Sequence, residues 1–543
     1  METISFMDVS VMAFVRGDKM DMENVGRREF FKYMGALGLG VISFSSQLSG
    51  VGLLKNAWAS MEDKEDFPGR TRTVSHIWRD KSKPWDGVTE YYAVESDRDK
   101  TPRILELPLD DGKVWKTRDK YWKWPTTDEI APPDVIKKLL HPRGAKGLQE
   151  EWNEVIGFRA PEKVGKIAPE IKPGMIINGS NYKQYPGLKE LMPSDIYARL
   201  DPKSYLPFPQ IEIVPTRSIY PSKMWTAYTR QYSKGCKIDK DGVSLNGWVA
   251  GTPFPRPKKG VELAWNHDKV DIVGDCLRFA PMYWDLYGSD GSYERTYHFN
   301  LWYFRATGRT HIDPMPTYGD NRDGIFEWMV NYFSYPQDIK GMTLFRVHYL
   351  DTRKPDTMKA YIPSMRRVRK MSGTDLFDPL MGSDMIWEDF RSYWQKLSPT
   401  IFPNEYKLLD FREYLLPSTA PYGYVRHYPR LGRDYFCFER RPVYVLEIKS
   451  KDPSYVYGKR ILYLDAETFT LLHIQNYDQE GRLWRTWMKN IVCEPETGVI
   501  HEDVTNIIDH ISQHATTLHF TPSCCCKWIT PSLPGRYFAG RAR

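Results

Sequence analysis

Short runs of alternating apolar and polar residues, separated by turn residues, recur from about residue 171 onward. The clearest run is 294–305, followed by the turn 306–308. One face of this run would carry the set Tyr297, Phe299, Leu301 and Tyr303. A period of two residues is the pattern of a β-strand that presents one face to an apolar interior. Repeated strands of this kind, joined by short turns, predict an antiparallel sheet.

Four more runs with the same alternating pattern lie at 344–350, 443–449, 460–465 and 471–477. The last two are joined by the turn 465–468, so they predict a β-meander. Helices are expected to be few and short, and one is expected to begin at Ser194, where Pro193-Ser194-Asp195 suits a helix start. The predicted fold class is therefore a β-dominated α+β fold.

Composition narrows the class of partner. The chain has 543 residues, of which 41% are hydrophobic, 27% charged and 14% aromatic. Aromatic residues favour pleated sheets and apolar binding surfaces. A net charge of +7 is small for this length, and no basic stripe of the kind that neutralises a row of phosphates is present. Nucleic acid is therefore not expected as a partner.

The first 59 residues have the pattern of an export signal. Arg27 and Arg28 lie in the basic phrase 26–32 (GRREFFK), which precedes the weakly apolar run 33–54 and a small-x-small site ending at Ala59. The paired arginines resemble the twin-arginine signal, which exports folded proteins. A membrane anchor is the alternative, but glycine and serine interrupt the apolar run. We expect cleavage after Ala59 and a periplasmic location.

The remaining chain divides by composition into two parts. Residues 60–166 are rich in tryptophan, proline and charge, and are interpreted as an aromatic-rich extension that packs on the main domain. Residues 167–543 are interpreted as one large β domain.

Several residues of metal-binding or catalytic type occur without a defining motif. The seven cysteines form no CxxC pair, and three are consecutive at 524–526. His510, His514 and His519 have a spacing of a few residues, but two of them are expected in one strand, where even spacing only places them on one face. The carboxylates at 384, 388 and 389 lie in turn-like sequence. No metal, cofactor or catalytic residue is predicted.

Five ordered phrases carry a resemblance to a known family. They occupy residues 173–182, 251–267, 360–369, 381–390 and 462–483, with a closing segment at 509–516. The most specific is 251–257 (GTPFPRP), and 360–369 (AYIPSMRRVR) resembles the family's strand ending in Arg-Arg-Val-Arg. Together they resemble a periplasmic domain-of-unknown-function family described as outer-membrane lipoprotein-sorting-like, itself similar to the LolA/LolB lipoprotein carriers.

The resemblance implies a curved antiparallel sheet forming an incomplete (half) barrel with short helices, whose concave face holds acyl chains or another apolar ligand. It also implies a periplasmic setting, with an inner-membrane transporter of the resistance-nodulation-division type as a partner. The long extension before residue 167 and the tail 523–527 depart from the family pattern.

Candidate ligand contacts follow from strand position. The predicted cavity-lining side chains are aromatic residues on or beside sheet segments: Trp265, Trp302, Phe345, Tyr349, Tyr361 and Trp387. Plain core packing is the alternative for each of them. Arg366, Arg367 and Arg369 are candidates for an anionic head group, since guanidinium pairs well with phosphate or carboxylate. Their alternative is a solvated strand end that pairs with Asp384 or Glu388.

The leading interpretation is a non-enzymatic periplasmic binding or carrier protein for a hydrophobic ligand such as a lipid or lipoprotein acyl chain. Two interpretations stay open beside it. One is a cofactor-loaded accessory protein or enzyme that is exported folded, and the other is an envelope scaffold or interaction protein.

Overall fold

The computed structural model describes residues 106–108, 114–116, 147–216, 218–270, 274–371, 376–417, 436–493, 500–520, 522–524, 531 and 534. These residues belong to one compact unit. The predicted export signal, with Arg27 and Arg28, and its cleavage site at Ala59 lie outside the described residues. So does most of the predicted extension 60–166.

Twenty strands account for most of the described regular structure. In chain order they are β1 Glu106–Pro108, β2 Val114–Lys116, β3 Ile176–Asn178, β4 Gln210–Val214, β5 Lys237–Ile238, β6 Leu245–Asn246, β7 Cys276–Tyr287, β8 Tyr293–Arg305, β9 Ile325–Tyr335, β10 Thr343–Tyr349, β11 Thr357–Ile362, β12 Arg367–Met371, β13 Asn404–Pro417, β14 Phe436–Ser450, β15 Lys459–Asp465, β16 Leu471–Tyr477, β17 Leu483–Cys493, β18 Ile500–Asp509, β19 His514–His519 and β20 Pro522–Cys524.

Five short α-helices accompany them in the described part of the chain. They are α1 Leu148–Ile156, α2 Leu188–Leu191, α3 Ser194–Ala198, α4 Lys223–Tyr232 and α5 Gly260–Asp268. Helix α3 begins at the predicted residue, Ser194. Short 3₁₀ segments include Leu380–Gly382 and Trp387–Ser392.

One large sheet organises the molecule. Its strand order is β12-β11-β10-β9-β8-β7-β19-β18-β17-β16-β15-β14-β4-β3, with β13 also paired to β14 and β20 to β7. The pairs are antiparallel except that β4 runs parallel to β14. The sheet is therefore mixed, whereas the sequence predicted antiparallel pairing throughout. Its end strands β12 and β3 are not paired with each other among the described residues, so the sheet is open and not a closed barrel.

The alternating runs form strands at the predicted places, and residues 443–477 form the predicted meander β14-β15-β16. Two local predictions were wrong. Residues 360–369 do not form one strand, because a turn at 363–366, which contains Pro363, separates β11 from β12. His510 and His514 do not share a strand either, since the turn 510–513 lies between β18 and β19.

Apolar side chains cover both faces of the sheet. On β14, Tyr444 and Leu446 belong to one hydrophobic core, while Val443 and Val445 belong to a second, as alternation along a strand requires. The first core includes Leu344 from β10 and also residues from β14 to β19, which are far away in strand order. A single core can contact strands from both halves only if the sheet curves around it, so this core marks the concave face.

The described end of the predicted extension packs on the β unit. Trp152 of α1 is 1% exposed, lies in the concave-face core and donates its indole N–H to the Glu467 carbonyl at 3.0 Å. The Glu413 carboxylate on β13 accepts the backbone N–H groups of residues 165–167 at 2.5 to 2.7 Å. The boundaries predicted at 59/60 and 166/167 stay predictions.

Candidate ligand-binding cavity

A buried stretch of chain, residues 383–398, lies against the concave face; we call it the inner segment. Each of its described side chains is at most 7% exposed, although five of them are charged. Leu380–Gly382, just before it, and the segment itself contain left-handed residues, at Met381 (φ 56°), Gly382 (φ 72°) and Arg391 (φ 58°). Sharp local changes of direction of this kind let a short segment follow a curved surface without an α-helix or a β-strand.

One half of the sheet holds the inner segment through Arg346 of β10. Its guanidinium donates to the carbonyls of Trp387 (3.5 Å) and Trp394 (2.7 Å) and pairs with Asp356 at 2.9 Å. Lys396 reaches the same Asp356 carboxylate at 3.3 Å. These groups are buried, and buried charges require such paired partners.

The other half of the sheet holds the segment through its carboxylates. Asp384 accepts the Thr516 hydroxyl of β19 at 2.7 Å and lies 2.8 Å from His514 Nδ1, and this contact raises the pKa of His514. Asp389 accepts the Tyr457 hydroxyl at 2.9 Å. The inner segment therefore bridges β10 and β19, which lie on opposite sides of the β7–β19 junction.

A cavity lies between the inner segment and the centre of the sheet. Its wall is formed by strands of both halves and by the segment, and comprises Leu277, Phe279, Met282, Trp284, Leu301, Tyr303, Met385, Phe390, Arg391, Trp487, Glu502, Leu518 and Phe520. Its volume is about 20 Å³. A space of this volume is close to the smallest that holds one water molecule.

The polar groups of the cavity wall are Arg391, Glu502, the Tyr303 hydroxyl and two indoles. Arg391 pairs with Glu327 at 2.6 Å, and Glu502 pairs with the buried Lys489, whose pKa is lowered by burial. Both charges are thus neutralised by neighbours. The indole N–H groups of Trp284 and Trp487 have no hydrogen-bond partner among the described residues. The wall is apolar apart from these five groups, which suits an apolar ligand.

Two carboxyl groups of the inner segment titrate abnormally. Burial raises the pKa of Glu388 to about 7, and its Oε2 atom has no hydrogen-bond partner among the described residues. Burial also raises the pKa of Asp389, although Arg460 at 3.4 Å opposes this shift. Both groups face inward among aromatic and arginine side chains. The sequence analysis placed both in turn-like sequence with no catalytic role, and the structure adds that they are buried.

The six predicted cavity aromatics are placed separately, and none lines this cavity. Trp265 of α5 is buried and donates to the Val243 carbonyl at 2.7 Å. Trp387 is fully buried, and its ring centroid lies 5.4 Å from that of Phe390, which does line the cavity. Phe345 and Tyr349 are half-buried on β10, and Tyr361 is buried on β11. Their role as ligand contacts stays a prediction.

Strand alternation explains why Trp302 is not in the wall. Its neighbours Leu301 and Tyr303 line the cavity, and they pair with Phe279 and Leu277 of β7, which line it too. Tyr303 belongs to the apolar face that alternation predicts on this strand, whereas Trp302 lies on the opposite face. The same alternation could also have found Leu277 and Phe279. No sequence pattern pointed to Trp487 and Leu518 as cavity residues. They reach this wall only because β17 and β19 lie near β7 in the sheet.

The three predicted head-group arginines lie elsewhere. Arg366 is in the turn before β12, and Arg367 and Arg369 are on β12, all exposed to solvent. Strand β12 is at the edge of the sheet, four strands from β8 in the cavity wall. Their role as anion contacts stays a prediction.

His510 and the turn 465–468 both have structural partners. His510 Nε2 lies 2.9 Å from the Thr486 hydroxyl, and Asp465 accepts the backbone N–H groups of the turn 467–468. Within the described part of the chain, no three His, Cys, Asp or Glu side chains are grouped closely enough to hold a metal ion. None of the described helices has the length and apolarity needed to cross a membrane.

Three solved structures resemble this chain over about half of its length, at low sequence identity. A domain from Vibrio parahaemolyticus assigned to outer membrane lipoprotein sorting is 17% identical (TM-score 0.38) and covers 52% of this chain and 98% of its own. A DUF1329 family protein from Desulfovibrio piger is 16% identical (TM-score 0.36), covering 50% and 94%. A LolA superfamily protein from Nitrosomonas europaea is 13% identical (TM-score 0.31), covering 49% and 94%.

Comparison by sequence is more decisive. An uncharacterized protein of Pseudomonas aeruginosa is 22% identical over 259 residues, which are 46% of this chain and 55% of that relative's length. Residues 176–532 match the family of proteins of unknown function designated DUF1329, as the ordered phrases predicted. Because that match covers more than half of the sequence, this chain belongs to the DUF1329 family.

Proposed function

We propose that this protein is a non-enzymatic binding or carrier protein for a hydrophobic ligand, which occupies the space between the concave face and the inner segment. One observation carries the proposal: an apolar cavity whose wall combines strands from both halves of the open sheet with the inner segment. Burying an alkyl ligand there would gain about 0.8 kcal/mol for each CH₂ group removed from water.

The size of the cavity sets a condition on this function. A volume of about 20 Å³ does not accommodate an acyl chain. Ligand entry therefore requires side chains of the inner segment, such as Met385 and Phe390, to leave the cavity wall. Methionine is suited to such rearrangement because its unbranched side chain adapts to irregular spaces.

The proposed cellular location, ligand class and partner are inferred from the sequence. The twin-arginine pattern around Arg27 and Arg28 supports export to the periplasm, with cleavage after Ala59. A lipid or lipoprotein acyl chain is the ligand class that the family resemblance favours, and a resistance-nodulation-division transporter is the partner that it favours. Neither nucleic acid nor a cofactor has a role in this proposal.

The same cavity favours a second candidate function, an envelope scaffold with a closed core. The inner segment is buried against the concave face and the cavity beside it is small, as in a permanent core. In that case the protein would hold a partner by its outer surface and bind no apolar molecule.

Native mass spectrometry separates the two functions. The chain from Ser60 onward would be purified from the periplasm without detergent, and its organic extract would be analysed for lipids. A bound lipid or hydrophobic metabolite supports carriage. An apo mass, together with no binding of an apolar fluorescent probe, would contradict carriage and favour the scaffold.

A matched pair of substitutions tests the location of the site. Phe390→Ala removes a wall side chain and should increase the uptake of a small apolar probe several-fold, because it enlarges the cavity. Phe438→Ala removes an equally buried ring from the other core and should leave uptake unchanged. Both should lower the free energy of unfolding by about 3–5 kcal/mol. Equal probe uptake in the two variants would place the ligand elsewhere.

A further inference from the structure

The hairpin formed by β11 and β12, residues 357–371, has an unusual surface at the edge of the sheet. Residues 364–370 are consecutively exposed, although 367–370 belong to a strand. Since both faces of β12 are open to solvent, this strand adds little to either core. Its composition is therefore free to serve another purpose.

All charged side chains of the hairpin are basic. Residues 357–371 contain Lys359, Arg366, Arg367, Arg369 and Lys370, and no aspartate or glutamate. Lys359 lies directly opposite Lys370 in the antiparallel register. Like charges at opposed positions destabilise a strand pair, and an external anion beside them would relieve that repulsion.

Exposed apolar side chains accompany this charge. Met365, at the tip of the hairpin, is 58% exposed, more than any other large hydrophobic residue in the described part of the chain. Val368 on β12 is also exposed, and so is Tyr335. Tyr335 ends β9 at the same end of the sheet, because Thr343 of β10 pairs with both Tyr332 and Tyr361.

Charge and apolar exposure together define the partner. Basic residues on an edge strand can simply prevent edge-to-edge pairing, but that role does not require an exposed methionine at the tip. A polyanion such as nucleic acid would use the charge alone. The surface of an anionic bilayer uses both, since it attracts basic side chains and accepts apolar ones at the level of the head groups.

We propose that the hairpin 357–371 docks this protein reversibly on an anionic phospholipid membrane, with Met365 entering the head-group region and the basic side chains contacting lipid phosphates. This docking does not depend on a ligand in the cavity, because the hairpin lies at the sheet edge and the cavity near its centre.

Vesicle co-sedimentation tests the proposal. The chain from Ser60 onward should bind vesicles of phosphatidylglycerol mixed with phosphatidylcholine, and should bind pure phosphatidylcholine vesicles much more weakly. Binding should fall as salt is added. The double variant Arg367→Gln, Lys370→Gln should bind about twenty-fivefold more weakly, at roughly fivefold for each basic residue removed. Met365→Ser should weaken binding roughly tenfold.

Ile511→Ser is the matched control, because Ile511 is 53% exposed in the turn between β18 and β19. This variant should bind as the unsubstituted protein does, and urea unfolding should show that all variants are folded. Equal binding to charged and neutral vesicles would overturn the proposal. A second result would also overturn it: Met365→Ser binds vesicles as well as the unsubstituted protein does, and the unsubstituted protein binds heparin as tightly as it binds the vesicles. That combination indicates general polyanion binding.

Discussion

At the residue scale, the inner segment is defined by how its charges are neutralised. Asp384, Asp389 and Lys396 each have a partner on the surrounding strands and loops. Glu388 differs, because its Oε2 atom has no hydrogen-bond partner among the described residues and its pKa is raised to about 7. A carboxyl group buried without sufficient partners prefers its neutral form.

Glu388→Gln should therefore change the pH dependence of stability. Between the ordinary pKa of 4.5 and about 7, the folded chain keeps a proton on Glu388 that the unfolded chain has lost. Glu388 thus makes the free energy of unfolding fall as pH rises through this range, and the loss is complete above about pH 7. The amide variant lacks this loss and should be about 1–3 kcal/mol more stable than the unsubstituted protein at pH 8.

Urea unfolding of both proteins from pH 5 to pH 8 measures this difference. Other buried groups titrate in both proteins, so the comparison cancels most of their contribution. Glu405→Gln is the control, because Glu405 is an exposed glutamate on β13. A stability difference for Glu388→Gln that does not vary with pH would show that Glu388 is ionised in the folded protein.

At the element scale, the inner segment has no regular backbone ladder, so side chains must hold it in place. Arg346 is the principal contact on one half of the sheet, because a single guanidinium serves two segment carbonyls and one carboxylate. A guanidinium can do this since its five N–H donors have a fixed, branched geometry.

Arg346→Lys should loosen the inner segment selectively. Lysine keeps the charge but cannot reach the same three acceptors, so the free energy of unfolding should fall by about 2–3 kcal/mol. Hydrogen exchange measured by mass spectrometry should accelerate in peptides covering residues 387–396, and much less in β16.

Arg309→Lys is the matched control for this change. Arg309 is also a fully buried arginine, and it donates to the carbonyls of Arg305, Ile312 and Pro314. Its substitution should accelerate exchange around residues 309–314 and leave the inner segment unchanged. Acceleration of the same peptides in both variants would mean that global destabilisation, and not the Arg346 contacts, controls the segment.

At the scale of the whole molecule, the sheet consists of two halves joined at one place. Strands β7 to β12 form one half, β14 to β19 with β3 and β4 form most of the other, and the pairing of β7 with β19 joins them. The inner segment crosses the same junction, and the cavity lies beside it. The open sheet thus depends on a pairing between residues that are more than two hundred positions apart.

Thr517→Pro should disrupt this junction. Proline removes a backbone N–H from β19, which is hydrogen-bonded on both sides by β7 and β18. The free energy of unfolding should fall by at least about 2 kcal/mol, and fluorescence and circular dichroism transitions should no longer coincide. Thr517→Val is the first control, because it removes only the hydroxyl. Val368→Pro in the edge strand β12 is the second, and it should lower the free energy of unfolding by less than Thr517→Pro does. Equal losses of unfolding free energy in the two proline variants would contradict the role of β19 at the junction.

Much of the fold could be predicted because its signal is local. Alternation along 294–305 predicted β8 and the face that contains Leu301 and Tyr303, and both line the cavity. The turn residues at 465–468 predicted the meander, and Pro193-Ser194-Asp195 predicted the start of α3. These patterns act within a few residues, where side-chain period and turn geometry decide the conformation.

The position of the site depended on tertiary structure. In sequence, the inner segment is turn-like and acidic, yet it is buried because Arg346, Tyr457 and Thr516 supply its partners from distant strands and loops. Which face of β8 turns toward the cavity, and so whether Trp302 or Tyr303 lines it, likewise depended on tertiary packing. Sequence alone therefore determined the main strands, which side chains share a face of each strand, and the family. Strand order, the burial of residues 383–398 and the cavity were decided only by tertiary structure, because they arise from contacts between residues that no local period relates.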